Sequence, residues 1–130
     1  MAIGVKSNRG FSLLELMVAL VIIGISIISL MQLSVAVLNN NLRNDIRNAA
    51  IEILSGHVND LVSEPFDNIS IGSYTLTKYK IIRSIKKKFT ILDNITFQPI
   101  GSIKIIDSKV KWKFRDREYQ YKITTVVAKE

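Results

Sequence analysis

The distribution of apolar residues divides this chain into a long helical segment and a later segment of strands. Apolar side chains predominate over residues 11–38, and no formal charge occurs from residue 16 to residue 42. A charge-free segment of this length predicts a membrane-spanning helix, since about 20 apolar residues suffice to cross a bilayer.

Helical spacing continues beyond residue 40, but with a single apolar face. Apolar positions there recur at steps of three and four residues; they are Leu42, Ile46, Ala49, Ala50, Ile53, Leu54, Leu61 and Val62. Pro65 ends the helix, because the residue before a proline avoids helical backbone angles. We therefore predict one helix from Phe11 to Ser63, apolar in its first half and amphipathic in its second.

The pattern after Pro65 has the two-residue period of β-strands. Residues 66–73 are rich in turn formers and predict a loop. Short strand candidates follow at Tyr74–Thr77, Tyr79–Ile82, Phe89–Leu92 and Ile95–Phe97. The clearest alternation is C-terminal and predicts two strands joined by a turn at residues 115–118; its apolar positions are Val110, Trp112, Phe114, Tyr119, Tyr121 and Ile123.

These elements predict an α+β fold. An antiparallel sheet with one apolar face needs a cover, and the amphipathic half of the helix has a suitable length. The predicted divisions are a short basic leader over residues 1–10, a transmembrane segment over 11–38, an amphipathic helix over 39–64, and a β-rich head over 65–130 that packs on it.

Composition argues against an enzyme. The 130 residues contain no cysteine and one histidine, His57, so neither a disulfide nor a histidine–cysteine metal site is available. We interpret His57 as a residue at the border of the helix that packs against the sheet. No nucleophilic triad or phosphate-binding glycine loop is apparent. We expect no catalytic activity, cofactor, metal or small-molecule substrate.

One carboxylate, Glu15, lies just inside the apolar segment. An acidic side chain at the centre of a bilayer costs about 2.5–3.5 kcal/mol on insertion scales, so it is expected to find a partner. The sequence Gly10-Phe11-Ser12-Leu13-Leu14-Glu15, after a short basic leader and before an apolar helix, resembles the class III signal of type IV pilins and pseudopilins. The resemblance implies cleavage after Gly10 by prepilin peptidase, N-methylation of Phe11, and pairing of Glu15 with the Phe11 ammonium of a neighbouring subunit.

Weaker similarities concern the subfamily. Gln32 stands where many major pilins have a proline, and Val110-x-Trp112 followed by Thr125–Ala128 resembles PilV-type minor pilins and the related minor pseudopilins of type II secretion. This implies an inner-membrane precursor with a cytoplasmic N-terminus, which then joins other pilin subunits through its helix in a periplasmic or extracellular fibre. The expected function is that of a minor type IV pilin in adhesion, twitching motility or DNA uptake. The alternatives are a minor pseudopilin of a type II secretion or competence system, and a DNA- or polyanion-binding tip subunit.

The apolar segment has two other interpretations. Ser34-Val35-Ala36 loosely fits the cleavage site of a secretory signal, but the apolar run before it exceeds the usual 7–15 residues of a signal core. The segment is also long enough for a plain single-pass anchor. The secretory interpretation does not require Glu15.

The net charge of +7 comes largely from two basic clusters. The first contains Lys78, Lys80, Arg83, Lys86, Lys87 and Lys88, and the second contains Lys109, Lys111, Lys113, Arg115 and Arg117. Alternation in the second cluster places its lysines on the opposite face from its aromatic residues. This favours a solvated or subunit-complementary face, with polyanion contact at Lys86, Lys87 and Lys88 as the alternative.

Overall fold

The computed structural model describes residues 12–129, in which one long helix precedes a four-stranded sheet. The elements are helix α1 (Leu13–Ser63), a 3-10 turn (Phe66–Asn68), and strands β1 (Gly72–Ile82), β2 (Ile85–Gln98), β3 (Ile103–Phe114) and β4 (Arg117–Ala128). The α+β prediction is confirmed. The described chain forms two units that divide between Asn40 and Asn41.

The end of helix α1 at Ser63 is confirmed, while its predicted start at Phe11 lies outside the described residues. The buried side of its second half is Ile46, Ala49, Ala50, Leu54 and Val58. The predicted stripe was wrong at its end, because Val58 is buried and Val62 is 41% exposed. Val58 lies four residues after Leu54 and therefore continues the buried row, whereas Val62 lies off the surface that the sheet covers.

The sheet is an antiparallel meander in the order β1-β2-β3-β4. The four short strand candidates were too short, because the first two join into β1 and the next two lie within β2. The predicted loop at residues 66–73 was also too long, since it contains a 3-10 turn and the first residues of β1. Backbone pairing between β1 and β2 continues through polar residues such as Lys78 and Asn94, so the strands are longer than their apolar segments.

The first and last hairpin turns are tight. Arg83 and Ser84, between β1 and β2, both have positive φ angles, as the central residues of a type I′ turn do. The last turn consists of Arg115 and Asp116 alone, so the predicted four-residue turn at residues 115–118 was too long. Two-residue turns fix the register, and register decides which side chains share a face.

The core of the second unit lies between the second half of helix α1 and one face of the sheet. It contains Ile46, Ala49, Ala50, Leu54, Val58, Ile82, Phe89, Ile91, Val110 and Trp112. A smaller cluster of Ile69, Ile95 and Ile106 lies beside Leu61 and Val127. Trp112 stacks on Tyr119 with ring centroids 6.0 Å apart. The predicted apolar face of the terminal hairpin therefore faces the helix, and no element within residues 12–129 packs on the other sheet face.

Candidate functional site

Helix α1 begins with a reciprocal cap between Ser12 and Glu15. The backbone N–H of Glu15 donates to Ser12 Oγ at 3.2 Å, and the backbone N–H of Ser12 donates to Glu15 Oε2 at 3.4 Å. This is a capping box, in which two otherwise unpaired donors of the first helical turn are satisfied by side chains. Glu15 therefore has a contact within its own chain before any neighbouring subunit is considered.

The first half of helix α1 presents apolar side chains on all sides. Every large apolar residue from Leu13 to Leu38 is exposed, and none of the most apolar 18-residue window is buried. Within residues 12–129 this is the one helix long and apolar enough to cross a membrane. Such a surface is stable in lipid or against other apolar helices, because in water it would lose the hydrophobic stabilisation of burial.

The three serine hydroxyls in the apolar first half of helix α1 are satisfied within the helix. Ser26, Ser29 and Ser34 donate to the carbonyl oxygens of Ile22, Ile25 and Leu30 at 2.8, 2.9 and 3.0 Å. A hydroxyl bonded to the carbonyl four residues earlier needs no partner from solvent. These serines are therefore compatible with a lipid environment, and Glu15 is the one formal charge between residues 12 and 42.

The predicted cleavage and methylation residues, Gly10 and Phe11, lie outside the described residues. The structure thus describes one of the three residues predicted for processing and assembly, Glu15. Pairing of its carboxylate with a neighbouring amine stays a prediction, because the structure contains a single chain.

His57 links helix α1 to the sheet through a buried acid. Its Nε2 lies 2.7 Å from Oδ2 of Asp93 on β2, and Ser108 on β3 donates to Oδ1 of the same carboxylate at 2.6 Å. The prediction that His57 packs against the sheet is confirmed. This arrangement does not activate the hydroxyl as in a nucleophilic triad, because the carboxylate lies between the imidazole and the serine.

The segment after the helix is held by two lysines. Lys104 Nζ is buried and donates to the carbonyl oxygens of Phe66 and Ile69, the latter at 2.7 Å. Lys129 Nζ lies 2.9 Å from Asp67 Oδ1, and this hydrogen bond, aided by the lysine charge, lowers the pKa of Asp67. The two contacts fix the segment after the helix to strand β3 and to the residue that follows strand β4.

The strand register places six lysines on the sheet face that points away from the helix. They are Lys86 and Lys88 on β2, Lys109, Lys111 and Lys113 on β3, and Lys122 on β4, and together they define the open basic face. Lys87 lies on the helix side of β2, opposite Lys80. The run predicted for polyanion contact is therefore divided, with Lys86 and Lys88 on one surface and Lys87 on the other.

One carboxylate neutralises part of this face. Asp107 Oδ1 lies 2.8 Å from Lys122 Nζ and accepts a hydrogen bond from Thr124 at 2.5 Å. These hydrogen bonds, the one from Lys122 first, lower the pKa of Asp107. Within residues 12–129 the other five lysines of the open basic face form no ion pair.

Three buried polar side chains, Asp93, Lys104 and Ser108, and their hydrogen-bond partners were not predicted from the sequence. Asp93, Lys104 and Ser108 lie on the covered face of the sheet, and each occupies an apolar position of the alternation. A polar residue in phase with buried positions was the available signal, because such a group must find a partner. The capping box was also readable from Ser12 and Glu15, three residues apart.

The family model for the prokaryotic N-terminal methylation motif matches residues 5–31. No curated protein and no solved structure matches the chain. The match supports a relationship to type IV pilins and pseudopilins, a structural subunit, and a precursor anchored in the inner membrane. It is also consistent with processing by prepilin peptidase and assembly with other pilins.

Proposed function

We propose that this chain is a minor type IV pilin, most similar to the PilV type, that is cleaved after Gly10, methylated on Phe11 and assembled into a pilus fibre. The proposal rests on one observation above all. The methylation motif at residues 5–31 includes the start of helix α1, whose apolar first half is exposed and carries no formal charge from residue 16 to residue 42. Lipid covers that surface in the precursor, and neighbouring helices cover it in the fibre.

The mechanism is mechanical. Apolar helices that leave the bilayer must bury their surfaces against one another, which supplies the driving force for assembly. Cleavage after Gly10 creates an ammonium group on Phe11, and methylation of that amine preserves its positive charge. Pairing this cation with Glu15 of a neighbour removes two isolated charges from an apolar environment and fixes the axial register.

The capping box provides a competing role for Glu15. A glutamate at this position stabilises the helix start, and a cap of this kind contributes about 0.5–2 kcal/mol. The two roles differ in what they require of the side chain. Capping needs an oxygen acceptor, which glutamine also supplies, whereas pairing with an ammonium group needs the negative charge.

Three variants separate these roles. Glu15→Gln keeps the cap and loses the charge, Glu15→Ala loses both, and Ser12→Ala loses half of the cap while retaining the charge. We expect all three to be processed, and we expect only the two Glu15 variants to be depleted from sheared fibres. The measurement is the ratio of fibre-bound to membrane-bound mature protein. Wild-type incorporation of Glu15→Gln would show that Glu15 acts as a cap and not as a charge partner.

A minor pseudopilin of a type II secretion or competence system is the alternative, since the motif and the apolar helix serve both assemblies equally. Crosslinking in the native membrane distinguishes them. Crosslinks to pilus subunits support the proposal, and crosslinks confined to subunits of a secretion or competence apparatus support the alternative.

A further inference from the structure

The open basic face is more strongly charged than a solvated sheet face requires. Six lysines share it with two carboxylates, Asp107 and Glu118. Alternate residues of one strand lie about 7 Å apart and neighbouring strands about 4.8 Å apart, so the lysines form a two-dimensional array. Solubility is normally served by interspersed charges of both signs, and this face does not have that pattern.

Part of the array is repulsive in the folded chain. Lys109 lies directly opposite Lys122, and like charges in that position destabilise a strand pair. Lys111 lies between Lys109 and Lys113 on the same face of β3, and none of these three forms an ion pair within residues 12–129. A bound anion would relieve this repulsion, whereas an unoccupied face retains it.

The shape of the face suits an extended ligand. Two shallow depressions lie side by side on it, of about 390 and 310 Å³. Lys111 lines both depressions. Lysines outnumber carboxylates in each one: Lys109, Lys122 and Asp107 also line the first, and Lys88, Lys113 and Glu118 also line the second. A row of cations along adjoining depressions is complementary to a linear polymer of negative charges.

We propose that the open basic face binds the phosphate backbone of double-stranded nucleic acid, with Lys88, Lys109 and Lys111 as its central contacts. Single-strand binding normally combines cations with exposed aromatic platforms on which bases stack. Strands β2, β3 and β4 present no aromatic side chain on this face, and its one aromatic ring, that of Tyr79 on the edge strand β1, has Lys86 Nζ 4.8 Å from its centroid, so the face has no row of stacking platforms. Binding is therefore electrostatic and independent of sequence, and it does not rest on fibre assembly.

The test uses the full chain in neutral detergent micelles and a fluorescent random-sequence DNA duplex, with anisotropy measured over a range of salt concentrations. Non-specific binding of this kind has a dissociation constant of about 10⁻⁴–10⁻⁶ M at physiological salt. The triple variant Lys88→Gln, Lys109→Gln, Lys111→Gln is expected to lower the slope of log K against log salt by about 2.7, since each phosphate contact contributes about 0.9. The same variant is expected to unfold at a higher temperature at low salt, because it removes repulsion.

The matched control is Arg43→Gln, Arg47→Gln, Lys87→Gln, which removes the same charge from the helix and from the helix side of β2. We expect the control to keep the wild-type slope. The Lys→Arg triple at residues 88, 109 and 111 should also retain binding, and single Lys111→Gln should lower the slope by about 0.9 even if the triple glutamine variant fails to fold.

Three results would overturn the inference. One is a wild-type slope in both the single and the triple glutamine variants. Another is an equal loss in the helix-side control, which would make net charge the cause. The third is tighter binding of polyglutamate than of a DNA duplex of equal charge, because that would make an acidic protein the occupant of the face.

Discussion

Replacing His57 with leucine should destabilise the head more than any surface substitution, because it leaves a buried carboxylate with half of its partners. Asp93 is 6% exposed and is contacted by His57 Nε2 at 2.7 Å and Ser108 Oγ at 2.6 Å. Leucine has a volume similar to that of histidine, so packing changes little while the interaction at Oδ2 is lost.

The magnitude follows from burial and charge. A hydrogen bond to a charged group contributes about 1.5–3 kcal/mol, and leaving a buried polar group without its partner costs about 1–3 kcal/mol, or more if that group is charged. The side chain of His57 is 14% exposed, so water reaches part of the site and limits this cost. We expect a loss of about 2–3 kcal/mol, which lowers the unfolding temperature of a domain of this size by about 10–20 °C.

Trp112 provides the assay. It is the single tryptophan and lies in the core between helix and sheet, so its fluorescence reports unfolding of the head in the full chain in neutral detergent. The control replaces the whole network, as His57→Leu, Asp93→Leu, Ser108→Ala, and should recover stability to within about 1.5 kcal/mol of wild type, since an apolar replacement leaves no unpaired group. An unchanged unfolding temperature for His57→Leu alone would refute the reasoning.

Three further substitutions test other parts of the second unit, residues 41–130, by the same fluorescence assay. Lys104→Met should destabilise it by about 1–3 kcal/mol, because the buried carbonyl of Ile69 loses its donor; wild-type stability would contradict the contact. The hydrogen bond from Lys122 lowers the pKa of Asp107 in the folded state, so ionised Asp107 stabilises the fold above the ordinary carboxyl pKa of 3.8, and this stabilisation is lost as the pH falls below that value. Asp107→Asn should remove this pH-dependent part of the stability. Identical acid unfolding curves for the variant and wild type would contradict the prediction. Gly56→Ala should stabilise the second unit by about 0.5–1 kcal/mol, because alanine has a higher helix propensity than glycine and a Cβ at this position meets no atom within 4 Å. Destabilisation would contradict this prediction.

The architecture was predictable where a periodic pattern extended over many residues. The change from a continuous apolar segment to a three- and four-residue repeat predicted both halves of helix α1, and Pro65 predicted its end near Ser63. The terminal hairpin was predictable from the alternation around Trp112 and Tyr121. Burial of one face required the periodic patterns of the second half of the helix and of the hairpin, whereas a helix that is apolar on all sides required the continuous apolar segment of the first half.

Strand lengths and polar contacts were less predictable, for different reasons. Polar residues such as Asn94 and Lys78 interrupt the apolar alternation, although backbone pairing continues across them. Lys87 lies on the opposite sheet face from Lys86 and Lys88. Which of the three faces the helix depends on the strand register, and a run of three lysines gives no information on the register. The partnership of His57 with Asp93 joins residues 36 positions apart and depends on the docking of helix and sheet.

The mass of the mature N-terminus tests the central claim most directly. Protein extracted from membranes that contain prepilin peptidase is digested, and its N-terminal peptide is identified by mass spectrometry. The account predicts a peptide that begins at Phe11 and carries one methyl group on its amine, and it predicts that Gly10→Val blocks this cleavage. A mature chain that retains Met1–Gly10, or that begins after Ala36 as a secretory signal would require, contradicts it.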